Sequence, residues 1–129
     1  MRCSSGLSST TEAPIPGGTI LRPGEILVLG NSSDLAVNGG YTPDLLYDGT
    51  LLQLNDGGER LRLRGDGDVL DEVDFSKSSF PDPTGNSIFL DPKAYDDQSN
   101  DDGNQWCKGS ASYGNAGLKG TPGVLNPGC

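Results

Sequence analysis

Arg60-Leu61-Arg62-Leu63-Arg64 alternates strictly, and Gly65-Asp66-Gly67-Asp68 then leads into Val69-Leu70-Asp71-Glu72-Val73-Asp74-Phe75. Strand side chains alternate between faces, so both leucines share one face and the three arginines the other. Gly-Asp-Gly-Asp is hairpin-turn chemistry, because tight two-residue turns need residues that tolerate positive φ. The returning strand places Val69, Val73 and Phe75 in the inward phase, with Leu70, Glu72 and Asp74 in the other. Pairing of Arg60, Arg62 or Arg64 with Glu72 or Asp74 across the hairpin adds a few tenths of a kcal/mol each to its register.

Outward from this hairpin, short apolar runs recur between turn signals. Pro23-Gly24 precedes Glu25-Ile26-Leu27-Val28-Leu29, which ends at Gly30 and reads as a largely buried strand. Leu45-Leu46-Tyr47 is a short strand stopped by Asp48-Gly49. Leu51, Leu52 and Leu54 form an apolar run that ends at Asn55-Asp56-Gly57-Gly58. Beyond Pro81 and Pro83, Ser87-Ile88-Phe89-Leu90 reads as another strand. An acidic loop follows over 91–105, with one helical turn after Asp91-Pro92, and Trp106 anchors the returning chain in the core. From Tyr113 to Cys129, five glycines and two prolines leave turns and no room for a helix. Strands at this spacing without a helical period indicate an all-β fold, a sandwich or barrel of about six to eight short strands.

Composition agrees with one loop-rich domain. The 129 residues include 20 glycines and 9 prolines, and only 33% are apolar. Eighteen acidic residues against nine basic ones give a net charge of −9, which argues against nucleic acid as a partner. No apolar run approaches the roughly 20 residues of a transmembrane helix. The start, Met1-Arg2-Cys3-Ser4-Ser5, has no hydrophobic stretch after it, so an exported protein would have lost its signal or be a fragment. Residues 1–16 read as a flexible or strand-donating lead-in and residues 17–129 as the folded domain. Cys107 and Cys129 are expected to bridge, tying down the Gly-rich tail, with free thiols as the alternative; Cys3 is then left unpaired or open to a second chain. A disulfide would place the protein in an oxidising compartment, extracellular or at the cell surface.

Catalysis finds little support. The chain has no histidine, which removes the commonest general base and metal ligand. Lys77 beside Ser76 and Ser78, and Lys108 near Ser110, lack the Ser-x-x-Lys spacing. Cys107 has no histidine partner. The acidic loop offers Asp96, Asp97, Asn100, Asp101 and Asp102 as oxygen ligands for calcium, although no EF-hand register fits and turn capping explains the same residues. Asp66 and Asp68 are explained by the hairpin turn. Asn31-Ser32-Ser33 is a glycosylation sequon. Trp106 with Tyr41, Tyr47, Tyr95 and Tyr113 form the alternative of a carbohydrate platform, against Trp106 as core.

Several stretches together resemble the lamin tail domain of bacterial exported and surface proteins. They are Pro16-Gly17-Gly18 with Leu21 to Gly30 and Asn31-Ser32-Ser33-Asp34, then Leu54 to Leu63 and Asp71 to Phe75. Asn100-Asp101-Asp102-Gly103-Asn104-Gln105-Trp106-Cys107 and Gly120-Thr121-Pro122-Gly123 followed by Asn126 complete the set. The resemblance implies an immunoglobulin-like β-sandwich acting as a noncatalytic structural or protein-interaction module. Residues 1–16 lack the Asn-Glu and Trp-containing stretches that open the family's first strands. A sandwich short of a strand exposes an edge, so the expected partners are other protein chains, as a homo-oligomer or filament joined by strand exchange. The alternatives are a calcium-dependent carbohydrate or adhesion module, or the accessory domain of a secreted enzyme such as a nuclease.

Overall fold

The computed structural model describes residues 12–55, 57–114 and 117–129, together with the backbone of residues 2–5. Its strands in chain order are β1 (Arg2–Ser5), β2 (Ala13–Pro14), β3 (Leu29–Gly30), β4 (Leu45–Leu46), β5 (Arg60–Gly65), β6 (Asp68–Asp74), β7 (Ile88–Leu90), β8 (Trp106–Lys108), β9 (Ser112–Tyr113) and β10 (Leu118–Lys119). Three single-turn 3-10 helices, Pro92–Ala94, Ser99–Asp101 and Gly103–Gln105, lie between β7 and β8. The fold is β-rich and its sheets are small. One has four strands in the order β2-β1-β5-β6, and the pairs β3-β4, β7-β8 and β9-β10 form the others.

The β5–β6 hairpin forms where the alternating arginines and leucines place it. Gly65 faces Asp68, and the two residues between them, Asp66 and Gly67, have φ of 51° and 95°. Positive φ at both central positions twists the turn in the same sense as the strands, which is why Asp-Gly closes it. Arg60 stands opposite Asp74 and Arg62 opposite Glu72. The Arg60 Nη2 donates to Asp74 Oδ2 at 2.8 Å, and Arg62 pairs with Glu72.

A bulge between Leu63 and Arg64 corrects the expected phase of β6. It places Leu63 against Asp71 but Arg64 against Val69, so the alternation breaks at Leu70. Val73 stays buried, whereas Val69 is half-exposed instead of pointing inward. A second correction concerns Glu25–Leu29. Only Leu29–Gly30 is a strand, paired in parallel with β4, and Ile26 is exposed rather than buried. The ladder stops at Asp44, whose Oδ2 accepts from the Val28 N–H at 2.8 Å, and the preceding Pro43 has no amide to extend it. Leu51 and Leu52 sit in a turn, with Leu52 buried.

Of the segment read as flexible or strand-donating, Arg2–Ser5 runs antiparallel along β5 of its own chain, Arg2 opposite Arg64 and Ser5 opposite Leu61. Residues 1 and 6–11, the side chain of Cys3, and Asp56 of the Asn55–Gly58 turn lie outside the described residues. Ala13 and Leu52 form a small core against which Tyr47 and Leu61 pack. Phe75, Phe80 and Trp106 make a second cluster, with edge-on ring contacts of 5.0 Å between Phe75 and Trp106 and 5.2 Å between Phe75 and Phe80. Large apolar residues that lie exposed include Ile20, Leu21, Ile26, Leu46, Val124 and Leu125.

Acid should loosen this fold. Hydrogen bonds from Ser76 and Arg60 hold the Asp74 carboxyl down to about 2. Asp48, Asp91, Asp96 and Asp102 are lowered too, by donors two or three positions on and, for Asp91, by the Cys129 N–H as well. A carboxyl with a depressed folded-state value stabilises fully above its unfolded value, about 3.9, and loses that contribution as pH falls through the folded value. The melting temperature is therefore expected to fall between about pH 4 and pH 2, and Asp74→Asn should flatten part of that fall. A melting temperature unchanged down to about pH 2 contradicts the account.

Candidate functional site

The acidic loop between β7 and β8 gathers most of the sequence's candidate site residues. Pro92 fits the first position of its turn because its φ is preset and its missing N–H is not needed there. Asp91 caps that turn, its Oδ1 accepting from the Lys93 N–H at 2.8 Å. Asp96 Oδ1 accepts from the N–H groups of Gln98 and Ser99, and Asp102 Oδ1 from the N–H of Asn104. These are the local side-chain-to-backbone bonds that Asp makes in turns. Asp97 and Asp101 point to the surface.

Asn100 goes the other way. It is buried, and its Nδ2 donates to Asp71 Oδ2 on β6 at 2.8 Å. Its backbone oxygen accepts from the Trp106 Nε1 at 2.8 Å. The five residues proposed for calcium are thus divided between turn caps, exposed positions and an interior tie. Among the described residues no group of three or more His, Cys, Asp or Glu side chains is placed to hold a metal ion.

Trp106 lies half-buried on Phe75 and Phe80, apart from the tyrosines weighed with it as a platform. Tyr47 packs on the Ala13–Leu52 core and Tyr95 is exposed. Tyr41 and Tyr113 do meet, edge to face at 6.5 Å, on a surface groove of about 380 Å³. Asn31 of the sequon is exposed.

Three links pin the C-terminal tail across β7 and β8. Cys107 is bonded to Cys129. Asp91 Oδ2 accepts from the Cys129 N–H at 2.9 Å, and Asn126 Nδ2 donates to the Leu90 carbonyl at 3.0 Å. The sequence carries no signal that joins Asp91 to Cys129 or Asn126 to Leu90, residues so far apart. The Asp91-Pro92 step did mark a cap, and that cap carboxylate serves both purposes. Gly103 is equally specific: a Cβ there would lie 2.4 Å from the Ser79 carbonyl carbon, so only glycine lets the third 3-10 turn touch the Ser79–Phe80 backbone.

The tail also touches the β3 region. A Cβ at Gly123 would come within 3.6 Å of a Val28 methyl, so the tail passes the chain entering β3 at that glycine. Val124 and Leu125, which follow it in sequence, are exposed. No family model, curated protein or solved structure matches this chain.

Closing a loop over the 22-residue separation of Cys107 and Cys129 is worth about 3 kcal/mol in the chain-entropy account. Cys129→Ser, or reduction of the wild-type chain, should lower the unfolding free energy by about that amount in urea titration. A loss below about 0.5 kcal/mol would mean that Asp91 and Asn126 hold the tail without the bridge.

Proposed function

We propose that this chain is a noncatalytic interaction module of an extracellular or surface protein, built as the immunoglobulin-like β-sandwich that the lamin-tail resemblance implies. The observation that carries the reading is the β3 region, where apolar side chains lie exposed beside an unpaired strand side. Ile26 is 42% and Leu46 57% exposed, and Val124 and Leu125, which follow the Gly123 that meets Val28, are 58% and 68% exposed. Soluble chains rarely leave grouped apolar residues in water unless another surface covers them. The compartment is supported by the Cys107–Cys129 bridge, and no helix among the described residues is long and apolar enough to cross a membrane.

The acidic loop supports the same reading, since Asp91, Asp96 and Asp102 are engaged in capping backbone N–H groups. A dye that brightens on apolar surface tests the proposal. The folded wild-type chain should enhance its emission, and Ile26→Lys combined with Val124→Lys should remove most of that signal with an unchanged melting temperature. No enhancement by the wild type, or an equal one by the double variant, overturns the interaction surface.

A further inference from the structure

Tyr113 stands where three surface depressions meet. It lines a groove of about 490 Å³ with Ser87 and Lys119, one of about 210 Å³ with Thr121 and Asn126, and the groove of about 380 Å³ that it shares with Tyr41 and Thr42. β9, which carries Tyr113, pairs with β10, and the Gly120 N–H just beyond β10 returns to the Ala111 carbonyl at 2.8 Å.

Glycines let the backbone close on both edges of the Tyr113 ring. A Cβ at Gly39 would lie 3.4 Å from its Cε2, and one at Gly120 would lie 3.2 Å from its Cε1. A side chain at position 120 would also meet Ser87 Oγ at 2.6 Å. The ring is therefore held between two stretches of backbone, with its orientation set before any ligand arrives. Such preorganisation lowers the entropic cost of binding.

The lining differs in chemistry from the rest of the chain. The sequence has 18 acidic residues and a net charge of −9, yet the charged residues lining the three depressions are Asp82 and Lys119, whose charges cancel. Lys119 is itself engaged, its Nζ donating to Ser112 Oγ at 2.5 Å. The remaining polar groups are hydroxyls and amides. Among the described residues no hydrogen bond takes up the side-chain hydroxyls of Tyr41, Thr42, Thr84, Ser87 or Tyr113.

We propose that these depressions form one site for an uncharged glycan chain, with Tyr113 as the stacking platform at its centre. A pyranose ring carries C–H groups on its faces, which cover an aromatic ring, and hydroxyls at its rim, which need donors and acceptors. Tyr113 and the unengaged hydroxyls around it supply both. Tyr41 extends the platform from a ring distance of 6.5 Å. Depressions strung along one ring suit linked sugars better than one compact ligand, and a charged chain would meet no net countercharge. The acidic loop contributes no residue to the lining, so binding is independent of calcium. The site adds a second kind of ligand to the interaction-module reading and meets the exposed apolar surface only at Val124.

Isothermal titration calorimetry of the full chain with cellohexaose, chitohexaose, xylohexaose and mannohexaose, each with a chelator present, tests the proposal. At least one should bind with a dissociation constant of about 10 µM to 1 mM, and more tightly than hexagalacturonate, which carries a carboxylate on every sugar. Tyr113→Ala should weaken that binding about tenfold or more. Thr42→Lys, at an exposed position in the groove, should weaken it about fivefold or more with an unchanged melting temperature, and so decides the matter if Tyr113→Ala does not fold. Tyr95→Ala, at an exposed tyrosine elsewhere, should bind as the wild type does. No binding of any neutral hexasaccharide, tighter binding of hexagalacturonate, or binding retained by folded Tyr113→Ala or Thr42→Lys overturns the site. The apolar-dye measurement needs no glycan, so the interaction-module reading stands or falls separately.

Discussion

The charged ladder between β5 and β6, in which Arg60 meets Asp74 and Arg62 meets Glu72, is the point where three otherwise separate parts of the chain converge. On one side β5 carries β1, and β1 in turn carries β2, whose Ala13 is half of the small core. On the other side β6 presents Asp71 to Asn100 and leads into Phe75, the ring that Phe80 and Trp106 cover. Each ion pair is partly exposed and therefore weak on its own. Their weight lies in register. A one-residue slip would turn Leu61 and Val73 to the wrong face and detach both the N-terminal strands and the aromatic cluster.

Apolar material is scarce in this sequence, and the structure compensates with local and covalent ties. Loop 91–105 has no hydrophobic stripe, yet it is held by caps from Asp91, Asp96 and Asp102 and by the buried Asn100. The tail has almost nothing to bury and is fixed by the disulfide, Asp91 and Asn126. The β3 region has neither kind of tie in full. Its parallel ladder is two residues long, and its apolar side chains remain in water. That contrast between well-pinned and unpinned parts of one chain is why the contact surface is placed at β3 and not on the acidic loop.

Much of this was legible in the residues. Strict alternation and Gly65-Asp66-Gly67-Asp68 located the hairpin and its charge pairs, because period and turn chemistry act locally. The bridge between Cys107 and Cys129 and the turn at Asp91-Pro92 were also visible. The bulge after Leu63 was not: it depends on how β6 meets β5, so the inward phase given to Val69 failed. The aliphatic run Glu25–Leu29 looked like a buried strand, but burial depends on what lies across from it. Pro43 and the Asp44 side chain end the partner ladder early. The calcium reading had the right residue types in the right density, and only the three-dimensional structure separates Asn100, which faces Asp71, from the aspartates that cap turns.

An open edge at β3 is the central claim, and the Leu27 amide reports on it directly. Residue-resolved hydrogen exchange on the intact chain in dilute solution reads its protection beside that of β5 and β6. The account predicts that β5 and β6 amides are protected while Leu27 exchanges rapidly. A Leu27 amide protected to the same degree as those of β5 and β6 would mean that the chain covers this edge itself, and would contradict the account.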